Sequence, residues 1–230
     1  MAKAGGVRVV IACRVMEPEI KEIWKGNSQV EIRYLEQSLH RVPQKMAYVI
    51  QKEIDRVALY AEKIVLGYGL CSKGIVGVKT PRQGLIVPRC QDCIALFLGS
   101  PKAYEEAFAT KPGTYYLTPG WVAEKKDPLG IIEEEYVPRV GREMAIWAMQ
   151  QELKHYTHIA LINTGVGNLR RLRERARENA RVLGKKFEEI QGSLEYFRKL
   201  VYGPYSGEDF LVLTPGQKIT QDMFLASLRE

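Results

Sequence analysis

The chain has 230 residues, 46% of them hydrophobic and 27% charged, with a net charge of +7. That apolar content suffices for one sizeable core or two small ones. No apolar run approaches the roughly 20 residues needed to span a bilayer, and Met1-Ala2-Lys3-Ala4-Gly5-Gly6 lacks the apolar core of a signal peptide, so a soluble, cytoplasmic protein without membrane association is expected.

Strand-like runs are read at Val7–Ala12, Val30–Leu35, Lys63–Gly67, Leu85–Val87, Thr114–Leu117, His158–Ile162, Phe187–Ile190 and Phe210–Leu213. Helix-like runs lie between most of them. Pro18 opens one through Lys25. Pro43 opens another over Gln44–Tyr60, with Met46, Val49, Ile50, Ile54, Val57 and Ala58 on one face. Ser100-Pro101 reads as an N-cap and first-turn proline for Lys102–Phe108, and Pro138 precedes a helix to about Lys154. Strands alternating with helices predict an α/β fold, with mostly parallel sheets covered by helices on both faces.

A weak repeat suggests two Rossmann-like halves from duplication. Leu117-Thr118-Pro119-Gly120 recurs as Leu213-Thr214-Pro215-Gly216, and Ile64-Val65-Leu66 meets Ala160-Leu161-Ile162 at the same displacement. The expected halves are residues 1–121, carrying all four cysteines, and 122–230, with Val122–Glu135 as crossover and a ligand crevice between them. The two are also compatible with one compact unit.

The basic surplus concentrates in Arg170-Arg171-Leu172-Arg173-Glu174-Arg175-Ala176-Arg177. Glutamates at helical spacing make this an ion-paired, solvated helix face. Zinc-finger, RNP and helix-turn-helix patterns are missing, so nucleic acid is not an expected partner. The charge balance suits an anionic small molecule or an acidic partner.

Cysteine placement is the most informative feature. Cys13 closes the first strand, Cys71 follows the third, and Cys90 and Cys93 follow the fourth. Residues just past the carboxyl ends of parallel strands gather at one rim, where ligands bind. Four cysteines in a cytoplasmic chain argue against a disulfide framework. Pro88-Arg89-Cys90-Gln91-Asp92-Cys93 is the sharpest motif: two cysteines on a strand-to-helix turn form the usual half-site for zinc or an iron–sulfur cluster. A helix starting at Asp92 would add a positive dipole end that favours thiolates. A redox pair and two idle buried thiols are the alternatives. Gly69, in Gly67-Tyr68-Gly69-Leu70-Cys71-Ser72, allows close approach of a ligand. Cys71 is the natural third ligand and Cys13 the fourth, unless Cys13 only packs behind its strand. His40 follows the second strand and could replace Cys13 or move protons. Trp121 could stack on a flat cofactor. Asn163-Thr164-Gly165-Val166-Gly167-Asn168 offers Thr164, Gly165 and Gly167 as an anion-binding loop before a helix. His155 and His158 precede a strand, at the opposite rim, and read as structural.

Ile11-Ala12-Cys13, Leu39-His40 with Pro43, Tyr68-Gly69-Leu70-Cys71, Pro88-Arg89-Cys90-Gln91-Asp92-Cys93-Ile94 and Gly113-Thr114-Tyr115-Tyr116-Leu117-Thr118 resemble a family catalogued as a domain of unknown function, family 1638. The resemblance covers most of residues 7–121 and, more loosely, the part after Asn163. It implies a place in the one-carbon metabolism of anaerobic bacteria and methanogenic archaea, beside corrinoid-dependent methyl transfer. Two mechanisms are then expected. In one, zinc on Cys71, Cys90 and Cys93, with an open fourth position, activates a substrate thiol as methyl acceptor. In the other, Cys13, Cys71, Cys90 and Cys93 hold a four-iron cluster. His40 or Asp92 would handle protons as the catalytic residues. The rival is a non-enzymatic accessory protein that binds a corrinoid or an anionic small molecule, with a structural metal. Corrinoid methyltransferase proteins are the candidate partners.

Overall fold

A computed structural model of the chain describes residues 6–224, apart from the side chains at positions 41 and 43. The expectation for residues 1–5 lies outside that range. In chain order the elements are β1 (Arg8–Cys13), a 3-10 turn (Arg14–Met16), α1 (Glu17–Trp24), β2 (Val30–Leu35), a second 3-10 turn (Gln37–Arg41), α2 (Pro43–Val57), β3 (Lys63–Gly67) and β4 (Leu85–Pro88). Then come α3 (Ile94–Leu98), α4 (Pro101–Thr110), β5 (Thr114–Leu117), α5 (Pro119–Ala123), α6 (Pro128–Ile131), a π-helical turn (Ile132–Tyr136), α7 (Val137–Val140) and α8 (Arg142–Glu152). The chain continues through β6 (His158–Asn163), α9 (Leu169–Leu183), β7 (Lys186–Gln191), α10 (Glu195–Tyr202), β8 (Phe210–Leu213) and a 3-10 turn (Gln221–Phe224). No helix among the described residues is long and apolar enough to cross a membrane.

All eight strands fall where the apolar runs place them. Prolines open α1, α2, α4 and α5, where the lost N–H has no helical partner. The Ser100 hydroxyl accepts from the Ala103 N–H at 3.1 Å and caps α4. The helix expected from Pro138 to Lys154 is in fact broken. Gly141, at φ +77°, takes a backbone conformation that separates α7 from α8.

The strands form two sheets. The first has the order β2-β1-β3-β4-β8, parallel except for β8, which runs antiparallel to β4; the second is β5-β6-β7, all parallel. Val9 through Cys13 of β1 are fully buried, so both faces of the first sheet are covered. The sheets do not follow the division at residues 121 and 122. β5, before that point, pairs with β6, and β8, after it, returns to β4. The displacement of 96 also fails at its last strand. Thr118-Pro119-Gly120 follows a parallel strand and opens α5, whereas Thr214-Pro215-Gly216 follows the antiparallel β8.

Two cores flank the second sheet. Leu117, Ile159, Leu161 and Phe187 face a core closed by α8 and α9. Tyr116, Ile162 and Ile190, on the alternate face, join the core of the first sheet, together with Ala103, Tyr104 and Ala107 of α4. The segment Val122–Glu135 is packed rather than a loose crossover. Its Asp127 is fully buried, and Oδ2 accepts from Arg175 Nε and Asn179 Nδ2, each at 2.8 Å. The basic helix α9 is ion-paired as expected: Arg170 meets Glu174, and Arg173 grips Glu189 through two nitrogens.

Candidate functional site

Parallel pairing brings the ends of β1, β3 and β4 to one rim of the first sheet, and the four cysteines with them. The loops after β3 and β4 are laced together: Leu70 N–H donates to the Cys90 carbonyl at 2.9 Å and Cys71 N–H to the Gln91 carbonyl at 3.1 Å. Gly69 makes this approach possible. A Cβ there would lie 2.9 Å from the Cys90 carbonyl oxygen and 3.0 Å from its sulfur. Gly69 therefore fits against the neighbouring loop, and the close approach it allows is to that loop.

Beyond Leu70 the backbone enters a left-handed turn. Cys71, Ser72 and Lys73 have φ of +45°, +56° and +68°, closed by a Gly74 N–H bond to the Cys71 carbonyl at 3.0 Å. Each such residue costs about 1–2 kcal/mol relative to the right-handed form. Three in succession are strain held by surrounding contacts, a pattern that clusters at functional sites.

The Cys93 thiol is hydrogen-bonded to that of Cys71, and this contact, ahead of burial, pushes its pKa up. Burial pushes Cys90 well up, with Cys71 and Asp92 adding to it. Burial pushes Cys13 up to about 12, against a partial offset from the Val15 N–H. These three sulfurs are protonated thiols at neutral pH, which as free groups are poor nucleophiles. Tyr68 lies against Cys13, and its buried hydroxyl has no oxygen or nitrogen partner. The His40 ring stacks on Tyr68 with centroids 6.0 Å apart and planes at 21°. Burial lowers the His40 pKa, with Asp92 opposing, so the imidazole is neutral; its buried Nε2 also lacks a partner among the described residues. Among the described residues, no three His, Cys, Asp or Glu side chains are arranged to hold a metal ion.

A cleft of about 270 Å³ opens between this rim and the second sheet. His40, Cys71, Asp92 and Cys93 form one wall. The other is aromatic: Tyr104 and Phe108 of α4, Tyr115 and Tyr116 of β5, Trp121 and Tyr156. Tyr115 and Tyr156 meet edge to face at 5.6 Å, and Trp121 packs edge to face on Phe97 at 5.8 Å. Trp121 is set by α5, whose Gly120 sits so close to Val15 that a Cβ would overlap the Val15 carbonyl. A larger groove of about 540 Å³, beside Tyr48, Gln51, Asp55 and Lys79, contains no cysteine.

The cleft thus unites Cys71, Cys93, His40, Asp92 and Trp121, as the strand-end argument anticipates. Cys13 and Cys90 stand behind it, not on its surface. Thr164, Gly165 and Gly167 are not among its lining residues. The Thr164 hydroxyl instead donates to buried Glu19 of α1 at 3.0 Å. Both helix ends expected to hold an anion are already capped. The helix begins at Ile94 rather than Asp92, and the Asp92 carboxylate accepts from the Ile94 N–H at 2.9 Å. Asn168 likewise accepts from the Arg171 N–H of α9. Sequence reading missed Tyr104, Phe108, Tyr115, Tyr116 and Tyr156. The aromatic density over residues 104–121 was the available signal. Tyr156 lies before β6, at the opposite end from the expected rim, and borders the cleft because that cleft runs along the free edge of β5.

No curated protein and no solved structure matches this chain. A family model described as "Protein of unknown function (DUF1638)" matches residues 34–201. That span includes His40, Cys71, Cys90, Cys93 and the aromatic wall, while Cys13 precedes it. The chain belongs to the DUF1638 family.

Proposed function

We propose that the cysteine rim is a soft-metal site, for zinc or an iron–sulfur cluster, opening onto the aromatic cleft of a cytoplasmic protein in corrinoid-linked one-carbon metabolism. The observation that carries this reading is the convergence of four buried sulfurs with the orphaned Nε2 of His40. Sulfur and imidazole are the donors such metals take. A bound cation would also supply the charge that buried thiolates lack here, since metal binding displaces their protons. The fit is one of donor type. The side chains as they stand are not closed to ligand geometry, so Cys71, on its strained turn, would have to adjust. Zinc would supply activation of a bound thiol as methyl acceptor, and a cluster would supply electron transfer. Cys71 and Cys93 would hold the group at the cleft floor, with Cys90 and Cys13 behind. His40 and Asp92 would move protons there.

The second reading is an accessory protein that presents a small ligand, a corrinoid among the candidates, without chemistry of its own. The aromatic wall favours it. Anaerobic purification followed by metal analysis and a visible spectrum decides. Stoichiometric zinc, or broad absorption near 400 nm, is expected, and Cys90→Ser should lose it while circular dichroism stays unchanged. Metal-free protein from anaerobic cells would sink the metal reading.

A further inference from the structure

We infer that the cleft receives an organic cation, a small molecule with a methylated ammonium head group. The inference rests on the reading that the cleft is the ligand site, but not on a metal being present. Six side chains, Tyr104, Phe108, Tyr115, Tyr116, Trp121 and Tyr156, bring aromatic rings to about 270 Å³ of space. Rings attract cations through their negative faces, and several rings around one space are the usual means of recognising a methylated ammonium. Asp92 carries the only formal charge among the described residues that line the cleft, since His40 is neutral. Asp92 and the rings line the same cleft, the carboxylate on the cysteine wall and the rings on the other.

An anion here would meet Asp92 with no described lysine or arginine on the lining, and the nearby helix N–H of Ile94 is already taken by Asp92. A bare metal ion would find donor atoms on one wall alone and leave the aromatic wall without a partner. A methylated ammonium suits both walls: its methyl groups pack on the rings, and its charge faces the carboxylate without needing to coordinate it. The volume lies just under the roughly 300–1,000 Å³ typical of drug-sized ligands, so the occupant is small.

The test is calorimetric titration of the full, reduced chain with three probes: choline, its neutral isostere 3,3-dimethylbutan-1-ol, and benzoate. Choline is expected to bind at least roughly tenfold more tightly than the isostere, and benzoate least. Asp92→Asn keeps the cap on Ile94 and should abolish the preference for choline over the isostere. Trp121→Leu should weaken choline roughly tenfold or more, with unchanged circular dichroism for both variants. Equal binding of choline and isostere, tighter binding of benzoate, a preference that survives Asp92→Asn, or no saturable choline binding at tens of millimolar would each overturn the inference. Metal content is measured on the same preparations. Metal-free protein that still prefers choline retains this inference and rejects the metal reading, whereas metal-loaded protein indifferent to charge does the reverse.

Discussion

Two regions of this molecule bury titratable side chains, and they treat them in opposite ways. Beneath α9, buried Asp127 meets Arg175 and Asn179 through Oδ2, and Asn179 Oδ1 in turn accepts from the Leu129 N–H at 3.0 Å. The charge is answered through that oxygen by a cation and a donor, while Oδ1 has no partner among the described residues. At the cysteine rim, among the described residues, His40 Nε2 has no partner, the Tyr68 hydroxyl meets only the Cys13 sulfur, and three thiols are held neutral by burial and by one another. The first arrangement holds the fold together. The second leaves polar capacity unused, which costs stability unless something else occupies it. Glu19 lies nearer the second case: one oxygen takes the Thr164 hydroxyl, the other has no partner, and no cation meets it among the described residues.

The comparison breaks most easily at its paired end. Asp127→Ala removes the acceptor that Arg175 and Asn179 share, leaving Arg175 to Glu133 and Asn179 Nδ2 to the Arg175 carbonyl, and should destabilise the protein by about 2–3 kcal/mol. Urea unfolding measures it; a loss below about 1 kcal/mol would place Asp127 on the unused side of the comparison.

Glu19 gives the next effect, and it depends on pH. Burial raises its pKa to about 7 from an ordinary value near 4.5. The folded state thus binds a proton more tightly than the unfolded state, so stability falls as pH rises from about 4.5 to 7. The full shift corresponds to at most roughly 3 kcal/mol above pH 7. Glu19→Gln should remove that slope and be more stable than the natural chain at pH 8. Thermal melts from pH 4 to 8 would show it, and parallel curves for the two proteins would disprove it.

The smallest effect is the sharpest contrast. His40→Phe removes an orphaned nitrogen while keeping a ring on Tyr68, so stability should change by less than about 1 kcal/mol or rise slightly. A loss as large as that of Asp127→Ala would mean that His40 has a structural partner at the rim.

The strands were legible because each is a short apolar run bounded by turn residues, and the convergence of the cysteines followed from their places at strand ends. The pairing was less legible. Nothing local says that β8 turns back antiparallel onto β4, or that β5 leaves its neighbours in sequence for β6, because those choices depend on the packing of distant faces. The left-handed turn at Cys71-Ser72-Lys73 was hidden for a related reason. None of the three is a glycine, and the lacing of Leu70 and Cys71 to the Cys90 loop holds them there. Thr164 misled because a glycine-bearing loop before a helix looks the same whether it awaits a ligand or, as here, rests against α1. Tyr156 was overlooked because the rim rule concerns strand ends, and this cleft follows a strand edge.

The contact of Gly120 with Val15 has a consequence for the aromatic wall. It joins backbone to backbone, so the position of α5 against the first sheet depends on no side-chain rotamer. The backbone that carries Trp121 is therefore fixed against the first sheet. A ligand proposed for the cleft would meet Trp121 on a backbone that side-chain repacking does not move.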